Sequence, residues 1–208
     1  LIILIAFQIA GLTSEQVDFY SNLAAGLFIL PFFLLSANAG QWAEKYEKSR
    51  SIRWIKFAEI GLMALAGIGF WLGSLPFLLG VLFLMGAQSA AFGPLKYSIL
   101  PQALRPNELV GGNALIEAGT FLAILLGTLA GGALMGLESG TSWVSAALVL
   151  IAVAGWLAAR GIPRAEATAP DLKLNWNPVT ETWRSVMFLR GHRAVLNSVL
   201  GVSWFWFF

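Results

Sequence analysis

Glu117 and Asn113 stand one helical turn apart in "NALIEAGTFLAILLGTLAGG", so on a helix they face the same side. A carboxylate in an apolar run is costly, and it faces a bundle interior or an aqueous pathway. There it can ligate a substrate amine, exchange a proton, or pair with a basic residue of a neighbouring helix. Lys96, in "FGPLKYSILPQALRPNELVGGNAL", carries an ammonium that can attract an anionic group, although a lone lysine beside a membrane also serves as a topology determinant. Glu59 lies near the basic end of its apolar run, with Lys56 and Arg53 in reach, so simple neutralisation is the expectation for it. Gln8 and Gln88 can make interhelical hydrogen bonds or line a cavity, the former being the expectation. Other chemistries lack their residues. The chain has no cysteine and one histidine, His192, which excludes disulfides, thiolate ligands and imidazole clusters. It has no GxSxG elbow, Walker loop or HExxH, and no nucleophile beside a base. No catalytic residue, metal or cofactor is therefore assigned.

The elements that must position these groups are apolar helices. With 58% hydrophobic and 12% charged residues, the chain lacks the solvated face a soluble fold of this length needs. Runs of about 17 to 25 mostly apolar residues suit bilayer-crossing helices. Complete spans are expected at Asn22–Ala37, Ile55–Leu72, Pro76–Ala91, Asn113–Leu137 and Trp143–Ala159. Extending the first to Val17 would bury Asp18. Leu1–Ala10 reads as the end of an earlier span and Val195–Phe208 as the beginning of a later one, so a fragment is expected. Alternation suited to a membrane barrel is missing from the sequence. The fold class is an all-α polytopic membrane protein.

The loops set orientation. "GLTSEQVDFYS" carries only acidic charge, "GSLP" none and "GLESGTS" one glutamate. The alternate connections hold every basic residue: Lys45, Lys48, Arg50, Arg53 and Lys56, then Lys96 and Arg105, then Arg160, Arg164, Lys173, Arg184, Arg190 and Arg193. That bias places them on the cytoplasmic side. Net charge of +2 therefore reflects topology and not a nucleic-acid patch. Pro94, Pro101 and Pro106 are expected to break the chain here, leaving "LKYSIL" as a short interfacial helix.

Residues 1–159 thus read as a transmembrane bundle, 160–194 as a cytoplasmic linker with an interfacial helix in "VTETWRSVMFLRGHRAVL", and 195–208 as the start of a further helix. Small residues four apart let helices approach closely: Gly127 with Gly131, Gly132 with Gly136, and Gly69 with Gly73.

"GQWAEKYEKSR" resembles the loop motif between the second and third helices of the major facilitator superfamily. Gly40, Glu44, Lys45, Lys48 and Arg50 fall at its glycine, acidic and basic positions. Glu44 stands where aspartate is usual, and Glu47 where the second glycine is usual. "FGPLKYSILPQAL" and "ELVGGNALIEAGTFLAILLGTLAGG" resemble the bacterial lysophospholipid transporter family, including versions fused to an acyltransferase and an acyl-ligase (acyl-ACP synthetase) domain. "VLGVSWFWFF" resembles the beginning of its seventh helix. The resemblance implies a major facilitator fold, here the N-terminal helical bundle plus the start of the second bundle. It implies carriage of lysophospholipids, of the ethanolamine and glycerol types, to the cytoplasmic leaflet of the bacterial inner membrane for re-acylation by a fused or separate acyltransferase. Gly40, Glu44, Lys45, Lys48 and Arg50 would then form a cytoplasmic gate of charge pairs. Substrate would be bound by Glu117 and Asn113, with Lys96 for the phosphate and Trp204 for the acyl chain. The implied partners are the lysophospholipid, membrane lipids and the acyltransferase, and not nucleic acid. Two other functions fit the residues: a proton-coupled exporter of small amphiphiles in which Glu117 titrates, and a membrane module that docks a cytoplasmic acyltransferase through 160–194.

Overall fold

The structure, a computed structural model, describes residues 13–207 and side chains through Trp204. Leu1–Ala10, with Gln8, lies outside the described residues. The helices are α1 (Ser14–Lys45), α2 (Lys48–Leu72), α3 (Leu75–Ser98), α4 (Leu100–Ala103), α5 (Leu109–Met135), α6 (Gly140–Arg160), α7 (Pro178–Arg190) and α8 (Arg193–Phe207), with no strand among the described residues. Five stretches are long and apolar enough to cross a membrane: α1, α2, Leu75–Ala103, α5 and α6. The chain is an all-α, multi-pass membrane protein.

The spans outrun the apolar cores that mark them in sequence. α1 begins well before Asn22 because Thr13 and Gln16 form a capping box: the Gln16 N–H donates to Thr13 Oγ1 at 3.3 Å and the Thr13 N–H to Gln16 Oε1 at 3.0 Å. Asp18, expected to be buried by such an extension, is exposed. α1 and α2 are joined by Tyr46 and Glu47 alone, and Glu47 caps α2 by accepting from the N–H groups of Ser49 and Arg50. The expected break at Pro94 does not occur, and α3 continues through it to Ser98. Proline clashes with the residue before it when that residue is helical, and Gly93, having no Cβ, lowers that penalty. The interruption comes at Ile99, after which Pro101 lies in the first turn of α4. "LKYSIL" is therefore mostly the end of a spanning helix and not a separate interfacial one.

α1 packs most extensively on α3, and α2 on α6 and α3. Small buried side chains make the first contact close: Ala24, Ala39 and Ala43 on α1, and Ala90 on α3. Gly86 is the tightest point, where a Cβ would collide with the Phe28 carbonyl oxygen. At the end carrying the basic residues, Ala43, Ile52, Ile55, Leu95 and Ala159 form one apolar cluster; at the other, Leu78 and Met135 pack with Phe70 and Val144.

The glycine pairs picked out by spacing have different roles. A Cβ at Gly127 or Gly131 would meet nothing within 4 Å, and at Gly136 only the carbonyls of its own helix. Gly132, beside them, is on the same α5 turn. Gly73 ends α2 with φ 61°, a left-handed cap that favours glycine. Gly69 does make a close approach, its added Cβ falling 2.7 Å from Leu78 Cδ2. Gly86→Val is therefore expected to destabilise the protein by about 1–3 kcal/mol by prising α1 from α3. Gly127→Ala is expected to cause no loss, and thermal unfolding of the two purified variants in detergent separates these outcomes.

Residues 161–177 form a strap across the basic end of the bundle. The Lys48 N–H donates to the Ala165 carbonyl at 2.9 Å, the Ala169 N–H to the Glu44 carbonyl at 2.9 Å, and the Ala165 N–H to Glu47 Oε1 at 3.0 Å. Beyond it, α7, capped by Asn177, covers only the first part of the stretch expected to form the linker helix, since the chain breaks at Gly191–His192 and α8 starts at Arg193; α7 packs on α1 and α8. Burial opposes ionisation of Glu47, but hydrogen bonds from the Ser49 hydroxyl and from the N–H groups of Ala165, Arg50 and Ser49 outweigh it, holding the carboxyl below its ordinary value of 4.5. A depressed carboxyl contributes stability that is fully present above the ordinary value and is lost as pH falls through the lower folded one. Acid unfolding followed by circular dichroism is expected to show a component below pH 4.5 that Glu47→Gln removes.

Candidate functional site

Lys96 and Glu117 are each bonded to a hydroxyl of the other's helix where the last turns of α3 pass the first half of α5. The Tyr97 hydroxyl donates to Glu117 Oε1. One turn on, Thr120 Oγ1 accepts from Lys96 Nζ at 3.3 Å while donating to the Ile116 carbonyl at 2.8 Å. The Lys96 ammonium also lies 4.8 Å from the centre of the Tyr97 ring. Glu117 and Lys96 are both half-buried, and Tyr97 is at the exposed margin.

This arrangement follows from local structure. Because α3 runs unbroken through Pro94, Lys96 and Tyr97 are presented on a helix and not on a surface loop. On α5, Glu117 and Thr120 are three residues apart and share a face. An ammonium has three donors, of which Thr120 engages one; a carboxylate has acceptor sites beyond the one Tyr97 fills. The cluster therefore offers a cation and an anion side by side, each partly satisfied by neutral hydroxyls. Among the described residues, the ion pairs are Lys56–Glu59 and Glu181–Arg184, so Glu117 is held by a phenol and not by a basic residue.

Other expected site residues are placed as follows. Asn113 is exposed and its amide donates back to the Leu109 carbonyl at 2.8 Å, one turn away from the cluster. Trp204 is exposed on α8, which packs on α7. Tyr97 and Thr120 join the site only in the structure; their signals in the sequence are Tyr97 beside Lys96 and a hydroxyl three positions after Glu117. Glu59 Oε2 accepts from Lys56 Nζ at 2.7 Å and from Gln88 Nε2 at 2.9 Å, so Gln88 makes an interhelical hydrogen bond.

The loop motif 40–50 addresses the strap. Lys45 Nζ donates to the Leu172 carbonyl at 2.8 Å. Lys48, 1% exposed, donates to the Glu166 carbonyl at 2.9 Å and to Thr168 Oγ1 at 2.7 Å. Glu44 and Arg50 are exposed, and a Cβ on Gly40 would meet nothing within 4 Å. Gln41 pairs with the Asn175 backbone in both directions, at 2.9 and 3.1 Å, and Asn38 donates to the same carbonyl. In this state the motif's lysines hold main-chain carbonyls.

No protein-family model matches the chain, and no solved structure matches it. Curated relatives do. The chain is 30% identical over 181 residues to the lysophospholipid transporter LplT of Cronobacter sakazakii, and 32% identical over 187 residues to that of Klebsiella pneumoniae. It is 33% identical over 187 residues to the protein of the same name from Salmonella enteritidis. Each alignment takes in 86% of this chain, and 43–44% of the relative, so the chain spans less than half the length of the proteins it matches. A bundle of five bilayer-length helices, with a polar cluster between two of them, is thus similar along most of its sequence to part of a family of transporters.

Proposed function

We propose that the chain is part of a lysophospholipid transporter that moves lysophosphatidylethanolamine and lysophosphatidylglycerol to the cytoplasmic leaflet of the bacterial inner membrane. There a fused or separate acyltransferase restores the missing chain. The observation that carries this reading is the Lys96–Tyr97–Glu117–Thr120 cluster, in a chain whose relatives are named for that cargo. A zwitterionic headgroup presents an ammonium and a phosphate a few ångströms apart, matching Glu117 and Lys96 as acceptor and donor. Only the headgroup needs such compensation, since the acyl chain remains in hydrocarbon, where Trp204 can pack on it. Alternating access would come from rocking this bundle against a second one, with Gly40, Glu44, Lys45, Lys48 and Arg50 at the cytoplasmic gate. Asn113, one turn from Glu117, would contact the headgroup beside the cluster.

The test is leaflet transfer of headgroup-labelled lysophosphatidylethanolamine in proteoliposomes, with and without a proton gradient. Protein-dependent transfer indifferent to the gradient supports lysolipid movement. Gradient-dependent transfer of other small amphiphiles alone would move the assignment to a proton-coupled exporter. Absence of any transfer by folded protein would remove the proposal.

A further inference from the structure

A second polar site lies on a different face, where the first turns of α2 meet the last turns of α6. Arg50, Arg53, Trp54, Phe57, Trp156 and Arg160 line an open cavity of about 620 Å³. Its aromatic wall is continuous: Trp54 and Phe57 have ring centres 6.2 Å apart, Phe57 and Trp156 6.1 Å. Arg160 lies 5.2 Å from the Trp156 ring centre. Arg53 is fixed at the base, donating from Nη2 to the Ile162 carbonyl at 2.9 Å and from Nε to that of Ala159 at 3.4 Å.

Charge in this cavity is one-sided. No carboxylate lines it. The nearest acids by sequence are engaged elsewhere: Glu47 by Ser49, Arg50 and Ala165 N–H groups, Glu59 by Lys56 and Gln88. Among the described residues neither ion pair involves these arginines. Three guanidiniums gathered without a counterion repel one another, and an anion would relieve that repulsion. Arg50 and Arg160 also each offer a planar fork that suits phosphate oxygens.

The cavity's surroundings narrow the choice of anion. It sits at the basic end of two spanning helices, with Trp54 61% and Phe57 53% exposed. Aromatic side chains at that level belong to the headgroup region, and basic pockets between helices on the cytoplasmic side recruit acidic lipid headgroups. Free phosphate would pair with the guanidiniums but leave the aromatic wall without a partner. A lipid satisfies both. We infer that this cavity binds the phosphodiester of an anionic bilayer phospholipid, with Arg50 and Arg160 on the phosphate and the Trp54–Phe57–Trp156 wall against its glycerol and upper methylenes. This lipid is a resident of the bundle's outer face and not the cargo of the α3–α5 cluster.

The experiment is thermal unfolding of the purified protein in detergent, titrated with phosphatidylglycerol, chain-matched phosphatidylcholine or inorganic phosphate. Phosphatidylglycerol is expected to raise the midpoint with saturation, and the other two are not; added salt weakens the effect. The Arg50→Gln/Arg160→Gln variant keeps Arg53, which anchors the end of α6. It is expected to need on the order of twenty- to thirtyfold more phosphatidylglycerol for half-saturation, about fivefold per arginine. An equal response to phosphate or phosphatidylcholine, or a variant responding like the native protein, overturns the site. A measurement on the native protein alone covers a variant that fails to fold: lipids retained after extraction from a mixed phosphatidylglycerol–phosphatidylcholine bilayer are counted by native mass spectrometry. Enrichment of phosphatidylglycerol above its bilayer share supports the site, and retention in proportion overturns it. Neither readout requires transport, so failure here is distinct from failure of the transporter reading.

Discussion

Glu117→Gln is expected to lower leaflet transfer of lysophosphatidylethanolamine by about ten- to a hundredfold while leaving the protein folded and inserted. Glutamine keeps the size of the side chain and an oxygen that can accept from Tyr97, but it loses the charge that an ammonium would meet. Hydrogen bonds to a charged group contribute about 1.5–3 kcal/mol, which sets the size of the loss. Tyr97→Phe keeps the charge and removes only the hydroxyl that orients it. Its effect should be smaller, about tenfold or less, and should fall mainly on the lysolipid concentration needed for half-maximal transfer. Lys96→Gln supplies the complementary readout. If Lys96 takes the phosphate, lysophosphatidylglycerol, which has no ammonium, loses transport in that variant but tolerates Glu117→Gln. Unchanged transfer of both lipids in folded Glu117→Gln protein would reduce Glu117 to a structural partner of Tyr97.

Lys48→Met is expected to lower stability by about 1.5–3 kcal/mol, the contribution of hydrogen bonds to a charged group. Methionine fills a similar volume, so loss of packing is not the main cause. The variant removes the charged donor that the Glu166 carbonyl and the Thr168 hydroxyl share; Lys48 itself is buried, whereas both acceptor residues are exposed and the Glu166 carbonyl keeps the Gln102 amide at 3.1 Å. Limited proteolysis should then cut within 161–177 long before it cuts the spans, and thermal unfolding gives the magnitude. Strap cleavage at the native rate would show that Lys48 does not hold it. Arg50→Gln, on the same motif but exposed, is the comparison: its stability in lipid-free detergent should stay near the native value.

Much of the architecture was legible in the chain because the bilayer imposes a length on apolar runs. All five complete spans correspond to helices found. Their ends were less legible, since hydrophobicity marks the part in hydrocarbon and not the turns beyond it. The Thr13–Gln16 box and the Glu47 cap, written in polar residues, set two of those ends. Pro94 misled for a related reason: a proline's effect depends on its neighbours, and glycine before it makes the helical course affordable. In the candidate site, the carboxylate and the ammonium stood out because charge is rare in these spans. Their hydroxyl partners did not, because Tyr97 and Thr120 are unremarkable until the fold brings the end of α3 within side-chain reach of α5. The lysines of the 40–50 motif carried a legible type and an illegible target. Basic residues near acidic ones suggest ion pairs, whereas carbonyls of a segment more than a hundred residues away carry no sequence signature.

That preference for carbonyls bears on how the protein can vary. Arg53 reads Ile162, Lys48 reads Glu166, Lys45 reads Leu172, and Asn38 and Gln41 read Asn175, in every case at the main chain. Main-chain atoms are the same whatever side chain they bear, with the Thr168 hydroxyl as the exception. The strap is consequently permissive of substitution and intolerant of insertion or deletion. One residue more or fewer moves an extended chain by roughly 3.3 Å, which exceeds the few tenths of an ångström over which a hydrogen bond survives. Across relatives, its amino acids are expected to drift while its length stays constant, a ruler whose markings are spaced by the helices beneath it.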